Sequence, residues 1–382
     1  MTLRLKIVEH IAEIDRDAWN ALGVAAYPFL RHEFLAALEA EGCLGERYGW
    51  LPRHLALWND DGQLVGAAPL YLKFNSYGEF VFDWAWADAY ARQGLEYYPK
   101  LVSASPYTPA TGPKLLTHPN APEGTATGLI AAGQELAEQM GVSSLHWLFT
   151  LPHETEALED IGLMRRVGCQ FHWENQGYAD FEAFLATLSS GKRKNIRKER
   201  RRVVEAGVTF RLLDGHTATP EDWRIFHHFY ESTFDKRGGI PTLSLGFFES
   251  LARSLPDGVL LVMADHDAHP VAAAFCLVGE NTLYGRHWGC SEFFDNLHFE
   301  ACYYQGLDFC IQRGLQRFEP GAQGEHKVAR GFLPTETLSA HWVADPRFRE
   351  AIAKHLDYER AGMQDYINEM QTRSPYRVTD TR

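Results

Sequence analysis

The sequence lacks an apolar run long enough to cross a membrane. The longest uninterrupted apolar stretch spans only residues 271–278, whereas a transmembrane helix needs about 20 such residues. The N-terminal segment alternates apolar and charged side chains, so it has no apolar core of the kind a signal peptide requires. We therefore expect a cytoplasmic protein that makes no integral membrane contact.

Cysteine pairs are also missing. The six cysteines are scattered without a Cys-x-x-Cys motif, and in a chain without an export signal they are expected to be buried thiols rather than disulfides. The His227-His228 pair and the His266/His269 pair have no Cys or carboxylate partners at ligand spacing. The sequence therefore predicts no metal site.

Positive charge is scarce and unevenly distributed. The 382 residues include 37 Lys and Arg against 50 Asp and Glu, which gives a net charge of −13. With 45% hydrophobic and 23% charged residues, the composition is that of a globular protein and excludes a disordered chain. The length predicts two or three domains.

One order of elements occurs twice: a β-hairpin, a strand, a long helix, a strand, a short helical stretch and a final strand containing His-Trp. The first copy uses residues 53–72, 79–84, 122–140, 144–149 and 170–174; the second uses 258–278, 282–288, 297–313, 317–320 and 339–343. Each long helix ends at a glycine suited to a C-cap, Gly141 or Gly314. The sequence thus predicts two α/β (α+β) lobes, 1–178 and 179–345, followed by an amphipathic C-terminal helix and tail over 346–382.

A basic helix is predicted at 192–206, at the start of the second lobe. From Lys192 to Arg202, eight of eleven residues are basic and only Glu199 is acidic. Several cations in the first turn of a helix add to its dipole, so this pattern predicts a site for pyrophosphate, a nucleotide-linked substrate or an RNA backbone. The alternative is a solvated charged face.

Four motifs carry a resemblance to a known family: residues 192–197 (KRKNIR), 283–288 (LYGRHW), 317–332 (RFEPGAQGEHKVARGF) and 77–88 (YGEFVFDWAWAD). With the duplicated order, they resemble the FemAB-like predicted N-acyltransferases of peptidoglycan biosynthesis, whose fold is two tandem lobes of the GNAT type. The resemblance implies transfer of an acyl or aminoacyl group from acyl-CoA or aminoacyl-tRNA to an amine, which would make a cell-wall precursor one candidate acceptor. It implies no tightly bound cofactor. The long coiled-coil arm of tRNA-binding Fem proteins is missing here.

Candidate site residues follow from the splayed strands of a GNAT-like lobe. The gap would be lined by Tyr284, Arg286, His287 and Glu319, with Glu319 or His287 accepting the proton of the attacking amine. Because there is no Gly-x-Ser-x-Gly motif and Cys290 has no evident base partner, direct attack is expected instead of a covalent intermediate. The expected donor-binding residues are Lys192, Arg193, Lys194, Arg197, Arg286, Lys327 and Arg330.

An acceptor site is predicted mainly in the first lobe. Trp84 and Trp86 would share one face of a strand, and Asp83 would point to the other face. Aromatic rings beside acids suit a sugar or peptide acceptor, although such a stripe is more often core packing. The full predicted acceptor set is Asp83, Trp84, Trp86, Asp88, Gln323 and Glu325. A non-catalytic module that binds an anionic ligand or RNA through the basic helix is the alternative function.

Overall fold

The computed structural model describes residues 3–322 and 324–377, apart from the side chain of Arg237. The chain forms two compact units. Unit 1 comprises Met1–Cys169 and Glu336–Tyr366, and unit 2 comprises Gln170–Thr335 and Ile367–Arg382. Each unit therefore combines two separate stretches of the chain.

The structure defines the strands and helices as follows. The strands are β1 (Arg4–Val8), β2 (Trp50–Pro52), β3 (His54–Trp58), β4 (Leu64–Ala68), β5 (Tyr71–Lys73), β6 (Lys100–Ser103), β7 (Leu116–Thr117), β8 (Ser144–Leu148), β9 (Met164–Glu174), β10 (Val208–Leu213), β11 (Val259–His266), β12 (His269–Val278), β13 (Thr282–Cys290), β14 (Arg317–Glu319) and β15 (Leu333–Val343). The helices are α1 (Arg16–Asn20), α2 (His32–Ala40), α3 (Trp84–Arg92), α4 (Thr125–Gln139), α5 (Pro152–Asp160), α6 (Phe181–Thr187), α7 (Ser190–Glu205), α8 (Pro220–Arg237), α9 (Leu245–Ser254), α10 (Leu297–Phe299), α11 (Gln305–Arg313) and α12 (Pro346–Thr372).

Unit 1 contains two layers of strands. One sheet has the order β1-β3-β4-β7, and the other runs β2-β5-β6-β8-β15. Helix α4 packs against both, because Leu129 and Ile130 belong to the same buried cluster as Leu55, Leu145 and Trp147. Burying side chains of this size stabilises the fold by about 1.5–3 kcal/mol each.

Unit 2 is built on strands in the order β10-β11-β12-β13-β14-β9. Strands β10 to β13 are antiparallel neighbours. An aromatic cluster joins α8 and α9 to the sheet, with Phe226 and Phe248 against Phe275. Helix α7 packs on the sheet through Val203, which clusters with Val208 and Ala264.

The strand–helix–strand part of the predicted repeat is present in both units. In unit 1 the parallel strands β6 and β8 are connected through α4, and in unit 2 the parallel strands β13 and β14 are connected through α10 and α11, with a π-helical turn at Glu300–Tyr304 between them. The predicted C-cap glycines, Gly141 and Gly314, have φ of +64° and +68°. The C-terminal helix α12 begins at Pro346, at its predicted start. The chain therefore has the predicted α/β fold of two tandem GNAT-like lobes.

The final strand of each repeat pairs outside its own repeat. Strand β9, which ends the first copy, pairs with β14, whereas β15, which ends the second, pairs with β8. This exchange is why each compact unit draws on two stretches of chain. The lobe boundaries at 178 and 345 stay a prediction about the sequence repeat.

One predicted element is wrong. Residues 79–84 were expected to form a strand with Trp84 and Trp86 on one face, but Trp84 begins helix α3 and Phe80 has a φ of +61°. The physical reason is buried charge: the carboxylates of Glu79 and Asp83 both accept hydrogen bonds from the Lys100 ammonium. The segment folds around that ammonium instead of extending.

Candidate functional site

The predicted gap lies where β13 and β14 stop pairing. Their parallel register covers Thr282 with Arg317, Leu283 with Phe318 and Tyr284 with Glu319, after which β14 ends and β13 continues. A bulge follows directly, because Cys276 pairs with Gly285 and Phe275 with His287. Arg286 is therefore the extra residue of β13 at this point, where the strand is no longer held by its parallel neighbour.

Three side chains form a row across adjacent strands of unit 2. Tyr284 of β13 is in register with Glu319 of β14. The antiparallel pair of Phe318 with Trp173 brings the neighbouring residues Glu319 and His172 together, and their Oε2 and Nε2 atoms are 3.9 Å apart. Side chains in register leave the same face of a sheet. The row Tyr284, Glu319, His172, hereafter the unit 2 row, is buried.

The ends of the unit 2 row are neutral at pH 7. Burial lowers the pKa of His172 to about 3, so its ring stays uncharged. Burial and the neighbouring Glu319 carboxyl raise the pKa of Tyr284. The Arg317 guanidinium lies 3.9 Å from Glu319 Oε1 and 2.7 Å from Glu174 Oε1. The Glu319 carboxyl thus lies between two uncharged side chains, which is an arrangement suited to accepting a proton.

His172 was missed by the sequence analysis, which assigned it to a strand but gave it no role. The available signal was the recurrence of His-Trp in the last strand of both repeats, as His172-Trp173 and His341-Trp342. The structure gives the two histidines equivalent positions. His341 of β15 pairs in register with His146 of β8, and His172 of β9 lies beside Glu319 of β14. In each unit, a histidine of the last strand of a repeat therefore lies beside the central residue of a row of side chains across three strands.

A cavity of about 630 Å³ opens beside the unit 2 row. Its lining includes His172 and Glu174 of β9, Leu333 of β15, Tyr178 and Arg377. The volume is in the range of small-molecule sites, so one end of the row, His172, borders space that a substrate can occupy.

His287 occupies a different environment from the one expected for a proton acceptor. Its ring stacks on Phe275 and meets Tyr230 edge-on, with centroids 4.9 Å apart in the second contact. Burial and the nearby Arg286 lower its pKa well below the usual range. The side chain is therefore part of the aromatic packing against α8 and α9.

The predicted phosphate ligands Lys327 and Arg330 are both buried and engaged within unit 2. They lie on a 3₁₀ helix, Glu325–Arg330. Lys327 Nζ donates to Gly321 O at 2.6 Å, and burial lowers its pKa to about 8. Arg330 donates to Glu199 Oε1 at 2.8 Å and stacks over the Phe299 ring. These contacts anchor the turn and the basic helix to the long helix.

The basic helix α7 keeps an exposed cationic face. Lys194, Lys198 and Arg201 are exposed at helical spacing, whereas Lys192 and Arg193 in its first turn are partly buried. Arg197 is ion-paired with Glu182, and Arg200, which the prediction did not include, binds Glu300 and Asp308. The interpretation of the helix as an anion-binding surface therefore fits its outer face better than its buried one.

The predicted acceptor residues of unit 1 are dispersed. Asp83 is buried, Trp86 packs edge-on against His341 with centroids 5.1 Å apart, and Asp88 is exposed on α3. Trp84 is 55% exposed and stacks on Phe82. The structure thus separates the two tryptophans that a strand would have presented side by side. In unit 2, Glu325 is exposed and ion-paired with Arg373, and Gln323 lies outside the described residues.

Unit 1 instead contains a buried polar network. Lys100 Nζ is fully buried and donates to Glu79 Oε2 at 2.7 Å and to Asp83 Oδ2 at 2.5 Å. Tyr97 connects Asp83 to His146, whose Nδ1 is 2.6 Å from His341 Nδ1. Burial lowers the pKa of His146 to about 3, so the ring is neutral. The network satisfies charges that would otherwise strongly destabilise a core.

The structure describes residues 3–322 and 324–377. Within them, no cluster of three or more His, Cys, Asp or Glu side chains could hold a metal ion. No helix there combines the length and the apolar character needed to span a membrane. All six cysteines are free.

Comparisons with known proteins give a family and a fold. The sequence model of the FemAB-like family, described as peptidoglycan biosynthesis/recognition, matches residues 10–378. No curated protein is significantly similar in sequence. Among solved structures, the C-terminal domain of a putative lysylphosphatidylglycerol synthetase from Agrobacterium fabrum is 9% identical with a TM-score of 0.56, covering 92% of this chain and 96% of that one. FemX is 11% identical with a TM-score of 0.53, covering 92% of this chain and all of FemX. At these identities, the structural likeness shows the fold alone.

Proposed function

The chain belongs to the FemAB-like family, and on that premise we propose that it is a transferase acting on an amine. It moves an acyl or aminoacyl group from acyl-CoA or an aminoacyl-tRNA to the acceptor. The observation that carries the proposal is the unit 2 row, in which Glu319 lies at the end of the parallel strand pair and its neighbour His172 lines a cavity. The family description makes a peptidoglycan precursor the first acceptor class to test.

The transfer requires one carboxylate that accepts and passes on a proton, and it requires no covalent intermediate. The amine nitrogen attacks the carbonyl carbon of the ester or thioester, the C–O or C–S bond breaks, and the tRNA hydroxyl or CoA thiol leaves. The proton lost by the amine passes to Glu319 and from there to the leaving group. Burial raises the pKa of the Cys276 thiol to about 12, and also raises those of Cys302 and Cys310. Thiols of this kind are poor nucleophiles at neutral pH, which supports direct attack.

Glu319→Gln tests the proposal in an assay that separates binding from transfer. Labelled acetyl-CoA, longer acyl-CoAs and aminoacyl-tRNA are each incubated with a panel of amines that includes peptidoglycan precursors. We expect one donor to support transfer, and the variant to bind that donor normally while losing transfer. If no donor and acceptor pair gives transfer, the proposal fails.

The donor is proposed to bind the exposed face of α7. Replacing Lys194, Lys198 and Arg201 together with Gln removes three exposed cations and is expected to weaken donor binding and flatten its salt dependence. Lys354→Gln is the matched control, because Lys354 is exposed and ion-paired with Glu350 on another helix. Equal donor affinity in the triple variant and the control would reject this surface.

A non-catalytic binding module is the second candidate, and the exposed cations of α7 in an acidic chain favour it. It predicts RNA retention that falls with salt and is abolished when Lys192, Lys194 and Arg197 are changed to Ala. It also predicts that Glu319→Gln changes nothing measurable. The two candidates therefore differ in the effect of a single carboxylate.

A further inference from the structure

The cavity of unit 2 has one wall made by the C-terminal segment of the chain. Ser374, Tyr376 and Arg377 line it after the end of α12. The segment is fixed by backbone hydrogen bonds: Ser189 N donates to Pro375 O at 2.8 Å, and Arg377 N donates to Thr187 O at 2.9 Å. Tyr376 OH also donates to Gly331 O at 2.8 Å. The wall is therefore built into the fold.

Another residue of the lining, His172, has a buried nitrogen without a hydrogen-bond partner among the described residues. His172 is 3% exposed, and its Nδ1 has no hydrogen-bond partner within the described part of the chain. Its Nε2 is 3.2 Å from Gln170 Oε1. If Nε2 carries the hydrogen of this neutral ring and donates it to that oxygen, Nδ1 is an acceptor. A ligand N–H is the group that would complete its hydrogen bonding.

The charged groups of the lining have opposite signs. Glu174 provides a carboxylate, and Arg377 provides a guanidinium whose Nε donates to Leu188 O at 3.0 Å. A guanidinium binds carboxylates through its forked N–H groups. Ala186 and Leu333 give the same cavity apolar surface. A small ligand that matches this lining has an amine, a carboxylate and an apolar body.

From this lining we infer that the cavity binds a free α-amino acid, with its amino group toward His172 and Glu174 and its carboxylate toward Arg377. On the other side of the same ring, His172 Nε2 is 3.9 Å from Glu319 Oε2, so one side chain contacts both the ligand and the carboxyl of the unit 2 row. As an extension that rests on the proposed function, the bound amino acid serves as an acceptor amine. Binding itself needs no donor.

Calorimetry without any donor tests the inference on the whole chain. The probes are leucine, leucinamide and 4-methylpentanoate, which share one side chain, together with alanine, lysine and phenylalanine. At least one amino acid should bind, and with leucine as the probe, loss of its carboxylate or its amine should weaken binding about tenfold or more. Absence of binding by all the amino acids, or equal affinity for the preferred amino acid and its amide, overturns the inference.

Arg377→Gln separates charge recognition from wall integrity. The variant should weaken binding of the preferred amino acid about tenfold but leave its amide unaffected, whereas Arg377→Lys should retain part of the preference. Arg373→Gln is the control in the same segment, because Arg373 pairs with Glu325 and does not line the cavity. If Arg373→Gln weakens binding as much as Arg377→Gln, the assignment of the carboxylate to Arg377 is wrong.

The two proposals can fail independently. Transfer to other amines without amino-acid binding would remove the inference and leave the transferase. Amino-acid binding without transfer from any donor would leave the site and remove the transferase.

Discussion

The two units place equivalent strands in very different surroundings. In unit 2 the row is Tyr284, Glu319 and His172, and it borders a cavity. In unit 1 the corresponding positions hold Val102, His146 and His341. There Trp86, Tyr90 and Tyr97 pack with Ile352 and Leu356 of α12 into a closed cluster. One fold thus encloses a polar network in unit 1, whereas in unit 2 one end of the row, His172, lines a cavity.

The different surroundings of the two rows indicate which unit can bring a side chain into contact with a substrate. A buried network whose members are bonded to one another stabilises and orders a core, but its groups cannot reach a substrate. His172, at one end of the unit 2 row, lines a cavity and can reach a ligand there. We therefore propose that unit 1 contributes stability and that unit 2 performs the transfer.

The largest expected effect is on transfer. Glu319→Gln and His146→Gln change the central residue of each row to the same side chain. The first should reduce the transfer rate by about a thousandfold, in the range for loss of a general base, while keeping the free energy of unfolding within about 1 kcal/mol. The second should leave transfer within about threefold. Steady-state kinetics measures the transfer rates, and urea denaturation measures the free energies of unfolding. A comparable loss of transfer in His146→Gln would contradict the proposal that unit 2 alone performs the transfer.

Next in size is the effect of Lys100→Met on stability. It leaves the carboxylates of Glu79 and Asp83 buried without their shared cation. The free energy of unfolding should fall by about 3 kcal/mol, as when one partner of a buried ion pair is removed. Lys354→Met, at an exposed pair, should change it by less than about 0.5 kcal/mol. Similar urea midpoints for the two variants would contradict a structural role for the network.

Lys73 gives unit 1 a pH dependence of defined sign. Burial lowers the pKa of this lysine from 10.5 to about 7, so between pH 7 and 10.5 the unfolded chain binds the proton that the folded chain has lost. Its contribution to stability should therefore rise with pH through that window, by about 1 kcal/mol per unit. Lys73→Met should abolish that rise, as measured by denaturation at several pH values. A parallel pH profile in the variant would show that the lysine does not titrate in this way.

The smallest effects should be equal in the two units. Gly141 and Gly314 end the equivalent helices with positive φ, and a Cβ at either position would meet no atom within 4 Å. Each Gly→Ala change should cost about 1 kcal/mol through backbone strain alone. Unequal losses in thermal or urea unfolding would show that the two copies differ even at this shared local feature.

Local signals explain what the sequence analysis predicted correctly. Hairpin turns, capping glycines and the apolar face of each long helix lie within a few residues of the element that they specify. The motifs around Tyr284 and Glu319 also led to their selection as candidates, and the structure places these two residues in register on β13 and β14. Neither the local elements nor the choice of these two residues required knowledge of which strands pair across the chain.

The errors arose where distant residues decide the structure. The ion pairs of Lys100 with Glu79 and Asp83, 21 and 17 residues away in sequence, prevented the expected strand at 79–84. His172 received no role because its neighbour Glu319 is on a strand from the other repeat. The pattern of apolar and polar residues within each segment does not indicate these contacts with residues far away in sequence.

The exchanged final strands have a consequence for synthesis on the ribosome. His341, which pairs with His146, emerges 195 residues later in the chain. At roughly 5–20 residues per second, translation leaves the edge of β8 without its partner for about 10–40 s. Three of the five residues of β8 are apolar, and an open strand edge favours association with other chains, so this edge is open to such association during that interval.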